Sequence, residues 1–125
     1  MILDTNAVSA LADGDAKLLR SAAKVDRFSL PVVVLGEFLF GIARSRYRTR
    51  YAEWLRKLTE ASVVLLIDEV TAEHYATIRE VLRAKGRPIP SNDAWIAALA
   101  LQYRQPVLTR DEHFDVVDGV ERHAW

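Results

Sequence analysis

The sequence predicts a layered α/β fold on a mostly parallel sheet. Short β-branched runs alternate along the chain with longer stretches of helical periodicity, the pattern of repeated strand–helix–strand units. The chain has 125 residues, half of them hydrophobic, which is one domain's worth and enough for a self-standing core. With 27% charged residues, Gly 5 and Pro 4, it is neither disordered nor of low complexity. No repeat or linker divides it, so residues 1–125 read as a single domain.

The elements follow in order. Ile2 and Leu3 form a stub of strand, followed by a short helix from Thr5 to Ala12 that Asp13-Gly14 stops and a second helix from Ala16 to Lys24. Phe28 to Val33 is Val-rich and reads as a strand, although Pro31 is a poor ladder residue. Val34 to Arg44 reads as a helix. Tyr51, Trp54, Leu55 and Leu58 fall at i, i+3, i+4 and i+7, the apolar stripe of an amphipathic helix. Ser62 to Ile67 is a buried-type strand. Thr71 is the expected cap of a helix that turns Tyr75, Ile78 and Leu82 inward and ends at Gly86. After the loop Gly86 to Pro90, Ser91 or Asn92 is expected to cap a helix to Tyr103. Pro106 to Thr109 reads as a strand and Val120 to His123 as a last one.

Composition excludes several classes of function. With Cys 0 there is no disulfide, thiolate metal site or cysteine nucleophile. Lys+Arg and Asp+Glu are 17 each, so a globally basic nucleic-acid binder is excluded and only a local basic patch remains. Asp4 interrupts the N-terminus before a signal-peptide core can form, and no apolar run approaches the ~18 residues of a membrane span. A soluble cytoplasmic protein is expected.

Four acids stand out by position. Asp4 follows the first strand and Asp111 follows the Pro106–Thr109 strand; ligands of open α/β sheets bind at such carboxyl ends. Asp93 opens a helix. Asp4, Asp93 and Asp111 could equally be cap or turn residues. Glu37 is harder to explain in that way. Val34, Leu35, Phe38, Leu39, Phe40 and Ile42 surround it, a helix apolar almost all round is usually buried, and no cation sits four residues away. A parallel sheet can bring all four acids to one edge. Two carboxylates ~4 Å apart repel by about 4 kcal/mol at an effective dielectric near 20, so such a pocket calls for a divalent cation. Oxygen ligands without thiolates select Mg²⁺ or Mn²⁺.

The strings Ile2-Leu3-Asp4-Thr5-Asn6-Ala7, Gly36-Glu37-Phe38 with Gly41, Asn92-Asp93-Ala94-Trp95-Ile96-Ala97-Ala98 and Leu108-Thr109-Arg110-Asp111-Glu112-His113-Phe114, in this order, resemble the PIN-domain ribonucleases, and most nearly the VapC toxins of toxin–antitoxin pairs. The resemblance spans nearly the whole chain. It implies a three-layer α/β/α fold and a Mg²⁺-dependent endoribonuclease acting as a homodimer and neutralised by an antitoxin. Position by position, it makes Asp4 and Asp93 the principal metal ligands and has Glu37 and Asp111 complete the acidic pocket. Thr5, Asn6 and Thr109 match the polar residues that orient these acids. Asp115 also lies nearby, but Asp111 fits the Thr-x-Asp pattern, and His113 reads as structural.

Arg44, Arg46, Arg48 and Arg50 alternate through a helix junction with Tyr47 and Tyr51 between them. Arginines with aromatics suit RNA, by phosphate contact and base stacking, and the same run could dock an acidic antitoxin segment. Trp54, Trp95 and Trp125 read as packing residues. The helices around Phe38, Phe40 and Trp54 carry more apolar surface than one side of a small sheet covers, which favours a homodimer. Two other functions compete. A haloacid-dehalogenase-like phosphatase would use Asp4 as nucleophile, but it needs a second acid where this chain has Asn6, and a well-placed lysine. A non-catalytic PIN-like RNA-binding module would ordinarily have lost some of the acids.

Overall fold

The computed structural model describes residues 1–125. Five strands are present: β1 (Ile2–Leu3), β2 (Ser29–Pro31), β3 (Val63–Leu65), β4 (Val107–Leu108) and β5 (Arg122–His123). They pair in the order β3-β2-β1-β4-β5, and every pairing is parallel. Six helices connect them: α1 (Thr5–Ala12), α2 (Ala16–Ala22), α3 (Val32–Ile42), α4 (Arg48–Glu60), α5 (Glu69–Ala84) and α6 (Ser91–Tyr103). A 3₁₀ turn over Glu112–Val116 joins β4 to β5.

From β1 the chain steps outward through β2 to β3, then returns past β1 to β4 and β5. Crossovers of the usual right hand would place α1 to α4, which pack on one another, on one face and the α5–α6 pair on the other, giving three layers. The order reverses between β1 and β4. A crevice therefore opens at the carboxyl ends of these two strands, where ligands of such sheets bind.

The core lies along the central strands. Ile2, Leu3, Leu30, Val107 and Leu108 are buried, as are Ala94 and Ile96 to Ala100 of α6. The run of alanines allows α6 to lie close to its neighbours on almost every side, and it carries Asp93 on its first turn into a buried position, 4% exposed.

Several boundaries differ from the sequence expectation. β2 ends at Pro31 and α3 starts at once, at Val32, because the φ of −62° at Pro31 suits both a strand end and the residue before a helix. Thr71 is not the cap of α5. Asp68 is, and Thr71 answers it from the third helical position: the Asp68 carboxylate accepts from the Thr71 N–H at 3.0 Å, and the Thr71 hydroxyl accepts from the Asp68 N–H at 3.1 Å. Neither Ser91 nor Asn92 caps α6. Pro90 holds that position and no side-chain oxygen caps the helix, so its first N–H groups stay open beside the crevice.

Glu37 is only half-buried. α3 packs Val34 and Phe38 inward, but its outer face is open, with Phe40 86% exposed and Leu39 47%. The all-apolar pattern marks a helix with two packing faces, only one of which this chain covers.

Candidate active site

Each acid is delivered by a different element. Asp4 leaves β1 and caps α1, its Oδ1 accepting from the Thr5 N–H at 2.7 Å. Glu37 comes from the middle of α3, Asp93 from the first turn of α6, and Asp111 from the cap of the 3₁₀ turn after β4. The capping roles of Asp4 and Asp111 are therefore real, and they also point these carboxylates at the crevice.

A network of uncharged donors fixes the acids. Asp4 Oδ2 accepts from the Thr109 hydroxyl at 2.7 Å and from Asn6 Nδ2 at 3.0 Å. Asn6 also bonds Thr109, and its Oδ1 accepts from the Arg110 N–H at 3.3 Å. The Thr109 oxygen in turn accepts from the Asp111 N–H at 2.9 Å. The Thr5 hydroxyl donates to Glu37 Oε2. Thr5, Asn6 and Thr109 thus each touch an acid.

His113 was not expected in the site. Its Nδ1 lies 2.9 Å from Asp93 Oδ2 and 3.0 Å from Asp111 Oδ1. A lone histidine in sequence reads as structural; only the 3₁₀ turn, which follows Asp111 immediately, swings it back onto two carboxylates. Asp115 does not join them. It is paired with Arg122 at 2.7 Å, which holds its carboxyl below the usual range.

The electrostatics show a site short of positive charge. Burial raises the pKa of Asp4 to about 6 against the pull of its Thr109 and Thr5 hydrogen bonds, and repulsion from Asp93 and Glu37 adds to the rise. Asp93 is also raised, chiefly by burial and further by Asp111 and Glu37, while His113 opposes the shift. The His113 imidazole is raised in turn, first by its bond to Asp93. The donor atoms of Asp93, Asp111 and His113 all lie within 4.8 Å of one another, the charge of Glu37 acts on Asp93, and the charges of Asp93 and Glu37 act on Asp4. Carboxylate oxygens converging in a partly desolvated crevice fit a divalent cation.

The four arginines do not form one stripe. All are exposed, with Arg44 and Arg46 before α4 and Arg48 and Arg50 inside it. Two residues apart on a helix is about 200°, so these last two point to opposite sides. Arg50 lines a hollow with Asp13, Tyr47, Tyr51 and Trp54, whereas Arg48 lines a different one, with Leu39, Ile42 and Ala52 between α3 and α4. The tryptophans do pack. Trp95 stacks on Tyr75 at 3.8 Å, Trp54 tilts against Phe38, and Trp125 lies under Arg110, whose guanidinium also meets Asp15 at 3.0 Å.

The profile of the PIN domain family matches residues 1–120. The chain belongs to the PIN domain family. Among characterised PIN proteins it is 32% identical to the VapC5 ribonuclease of Mycobacterium tuberculosis, over 94% of this chain and 87% of that one. It is likewise 32% identical to the VapC4 ribonuclease of the same organism, over 93% and 96%. Among solved structures, VapBC-1 of nontypeable Haemophilus influenzae superposes with a TM-score of 0.87 at 26% identity, covering 99% of this chain and 96% of that one. The parallel five-stranded sheet and its helical layers are those of PIN proteins.

Proposed function

We propose that this protein is a divalent-metal-dependent endoribonuclease, the toxin of a toxin–antitoxin pair. The observation that supports the reading is the close grouping of Asp93, Asp111 and His113 near the sheet's switch point, with Glu37 acting on Asp93 and both acting on Asp4, in a PIN domain whose relatives are ribonucleases. Asp4 and Asp93 would hold the cation, with Glu37 and Asp111 completing the pocket. Mg²⁺ suits the carboxylates, and the nearby imidazole of His113 makes Mn²⁺ a competent substitute. When bound, the cation supplies Lewis acidity toward a phosphodiester oxygen and lowers the pKa of water.

The chain's own groups hold the geometry. Asn6 and Thr109 fix one oxygen of Asp4, and Thr5 fixes one oxygen of Glu37, so neither acid needs to reorganise when RNA arrives. This argues against a phosphatase in which Asp4 attacks phosphorus, because both its oxygens already accept hydrogen bonds and position 6 offers an amide instead of an acid. Retention of all four acids argues against a purely binding module. Incubating structured RNA with the protein in Mg²⁺, Mn²⁺ or EDTA tests the reading: cleavage in either ion and none in EDTA is expected, and intact RNA in both ions would sink it.

The partners follow from the relatives and the surface. VapBC-5 of Mycobacterium tuberculosis, a similar solved structure, is a member of the VapBC family of toxin–antitoxin systems, and an antitoxin is the expected partner here. The hollow between α3 and α4, apolar at Leu39 and Ile42 and basic at Arg48, suits an acidic amphipathic antitoxin segment. Val32, Leu39, Phe40 and Ala43 form one exposed stripe along α3, which a second copy of the chain would cover in a homodimer. No helix is long and apolar enough to cross a membrane, and such a nuclease works in the cytoplasm, where its RNA is.

A further inference from the structure

Beside the acids lies a cavity of about 280 Å³ that the catalytic reading does not use. Thr5 and Glu37 form its inner end, where it joins the acidic crevice. Asp13 and Tyr51 form the outer end, with Phe38 and Ser9 between. The Tyr51 hydroxyl donates to Asp13 Oδ1 at 2.8 Å, which holds the carboxylate in place while Oδ2 stays free. Asp13 is not needed by its helix: the end of α1 is satisfied by the Asp13 backbone N–H, not by the side chain.

The lining defines the occupant. A carboxylate stands at each end and no cation lines the cavity, so a phosphate is repelled. What fits is flat and rich in N–H donors, since Phe38 and Tyr51 bring aromatic surface and Asp13 brings acceptors. A neighbouring hollow of about 410 Å³ shares Asp13 and Tyr51 and adds Arg50, Tyr47 and Trp54. A strand whose scissile phosphate lies at the acids would thus find first an acceptor-rich slot, then a cation flanked by aromatics. That is the alternation of base and phosphate in single-stranded RNA.

We infer that the cavity between Glu37 and Asp13 is a base subsite for the nucleotide next to the scissile phosphate and that it selects guanine. Guanine presents two adjacent donors, N1–H and N2–H, to one carboxylate. Adenine and cytosine offer a single amino group there, and uracil sets carbonyl oxygens against it. The inference rests on the ribonuclease reading. An arginine of a protein partner shares the donor-rich edge, but Arg50 at the next position favours a strand with a following phosphate over an incoming cation.

The test uses short single-stranded RNAs of randomised sequence, with sequencing of the cut ends. The wild type is expected to enrich guanine at one position beside the cut. Asp13→Asn should lose that preference by about tenfold, the scale of one good bidentate contact, while cutting guanine-free RNA as before. Gly41→Leu checks the cavity independently. Gly41 lines it, and a Cβ there meets nothing within 4 Å, so the larger side chain can be built into the space and should also erase the preference. A titration with GMP in EDTA, followed by NMR at Tyr51, reads binding without catalysis; AMP, CMP and UMP should shift Tyr51 much less. No guanine enrichment, or enrichment that survives both variants, overturns the subsite. So does an Asp13→Asn protein that keeps its base preference but loses its antitoxin, which would assign the cavity to the protein partner. If the wild type cuts no RNA in Mg²⁺ or Mn²⁺, the ribonuclease reading fails, and the GMP titration alone then decides the subsite.

Discussion

Asp93 stands where the acids meet: its charge raises Asp4, while Asp111 and Glu37 raise it in turn. Removing that charge should abolish cleavage and relieve repulsion together. At pH 8 in EDTA, Asp93→Asn is therefore expected to melt a few degrees above the wild type, at about 4 °C per kcal/mol for a chain of this size. The gain should shrink at pH 6, where protonated His113 pairs with Asp93 in the wild type. A variant that cuts RNA normally, or that melts lower at pH 8, would leave Asp93 only the role of a first-turn acid that favours the helix N-terminus. The metal-free protein should also lose stability as pH rises. Asp4 has a folded pKa of about 6 against about 4 unfolded, so the native state binds more protons between these values; stability falls from pH 4 to 6 and stays lowered above, by about 3 kcal/mol for this group. His113, raised above its unfolded value near 6.5, contributes stability below that pH that is lost as pH rises through its folded value. Melting in EDTA across pH 4 to 8 should thus show an acidic optimum, and saturating Mg²⁺ should flatten the decline by mass action. The acids were legible in the sequence because each sits just after a strand, at the start of a helix or in an apolar one. His113 was not, because its role depends on how a 3₁₀ turn folds back, which no periodicity encodes. Asp13 escaped notice for a similar reason: in sequence it is a turn residue, and only Tyr51, 38 positions on, gives it a partner.

At the level of elements, α3 and α6 look alike in sequence and behave differently. Both are apolar nearly all round, yet α6 is buried from Ala94 to Ala100 except at Trp95, whereas α3 leaves Phe40 and Leu39 in solvent. Alanines bring α6 close enough to be enclosed; bulky residues on α3 hold a second face away from this chain's core. Sequence patterning reports that a face is apolar, not which molecule covers it. Cap positions slipped for a related reason. Both Asp68 and Thr71 are good caps, and only the fold decides that Asp68 begins α5 and Thr71 answers it. Asp68→Ala should cost about 1 kcal/mol, read as a lower urea midpoint with unchanged m. The arginine run divides in the same way once its helix exists. Arg50→Ala should reduce the log–log salt slope of single-stranded RNA binding by about 0.7, the share of one phosphate contact. Arg48→Ala, on the opposite side of α4, should leave that slope alone and weaken antitoxin binding instead. Equal slopes for both variants would deny the division.

For the molecule as a whole, the strand order determines where chemistry can occur, and the helices determine what can approach. The reversal between β1 and β4 sets Asp4 and Asp111 at adjacent strand ends, α6 brings Asp93 to them, and α3 adds Glu37 on its half-buried side. The exposed apolar stripe runs along the flank of α3 next to Glu37, with Phe40 at its near edge three residues on, so one helix serves both the pocket and the proposed dimer contact. Phe40 separates the two roles. At 86% exposure it packs little within the chain, and Phe40→Lys should leave melting in EDTA within about 0.5 kcal/mol of a monomeric reference, as surface substitutions do. In a dimer, the same lysine would stand in the apolar stripe near its own copy, where an unpaired charge is costly to bury. Light scattering at tens of micromolar should therefore read two chains for the wild type and one for Phe40→Lys. If dimerisation only buries the stripe, cleavage per chain should persist in the variant. If the second copy holds α3 and hence Glu37 in position, cleavage should fall although the four acids are untouched. A wild type that scatters as one chain would leave the stripe to the antitoxin, and Phe40→Lys should then weaken that complex instead.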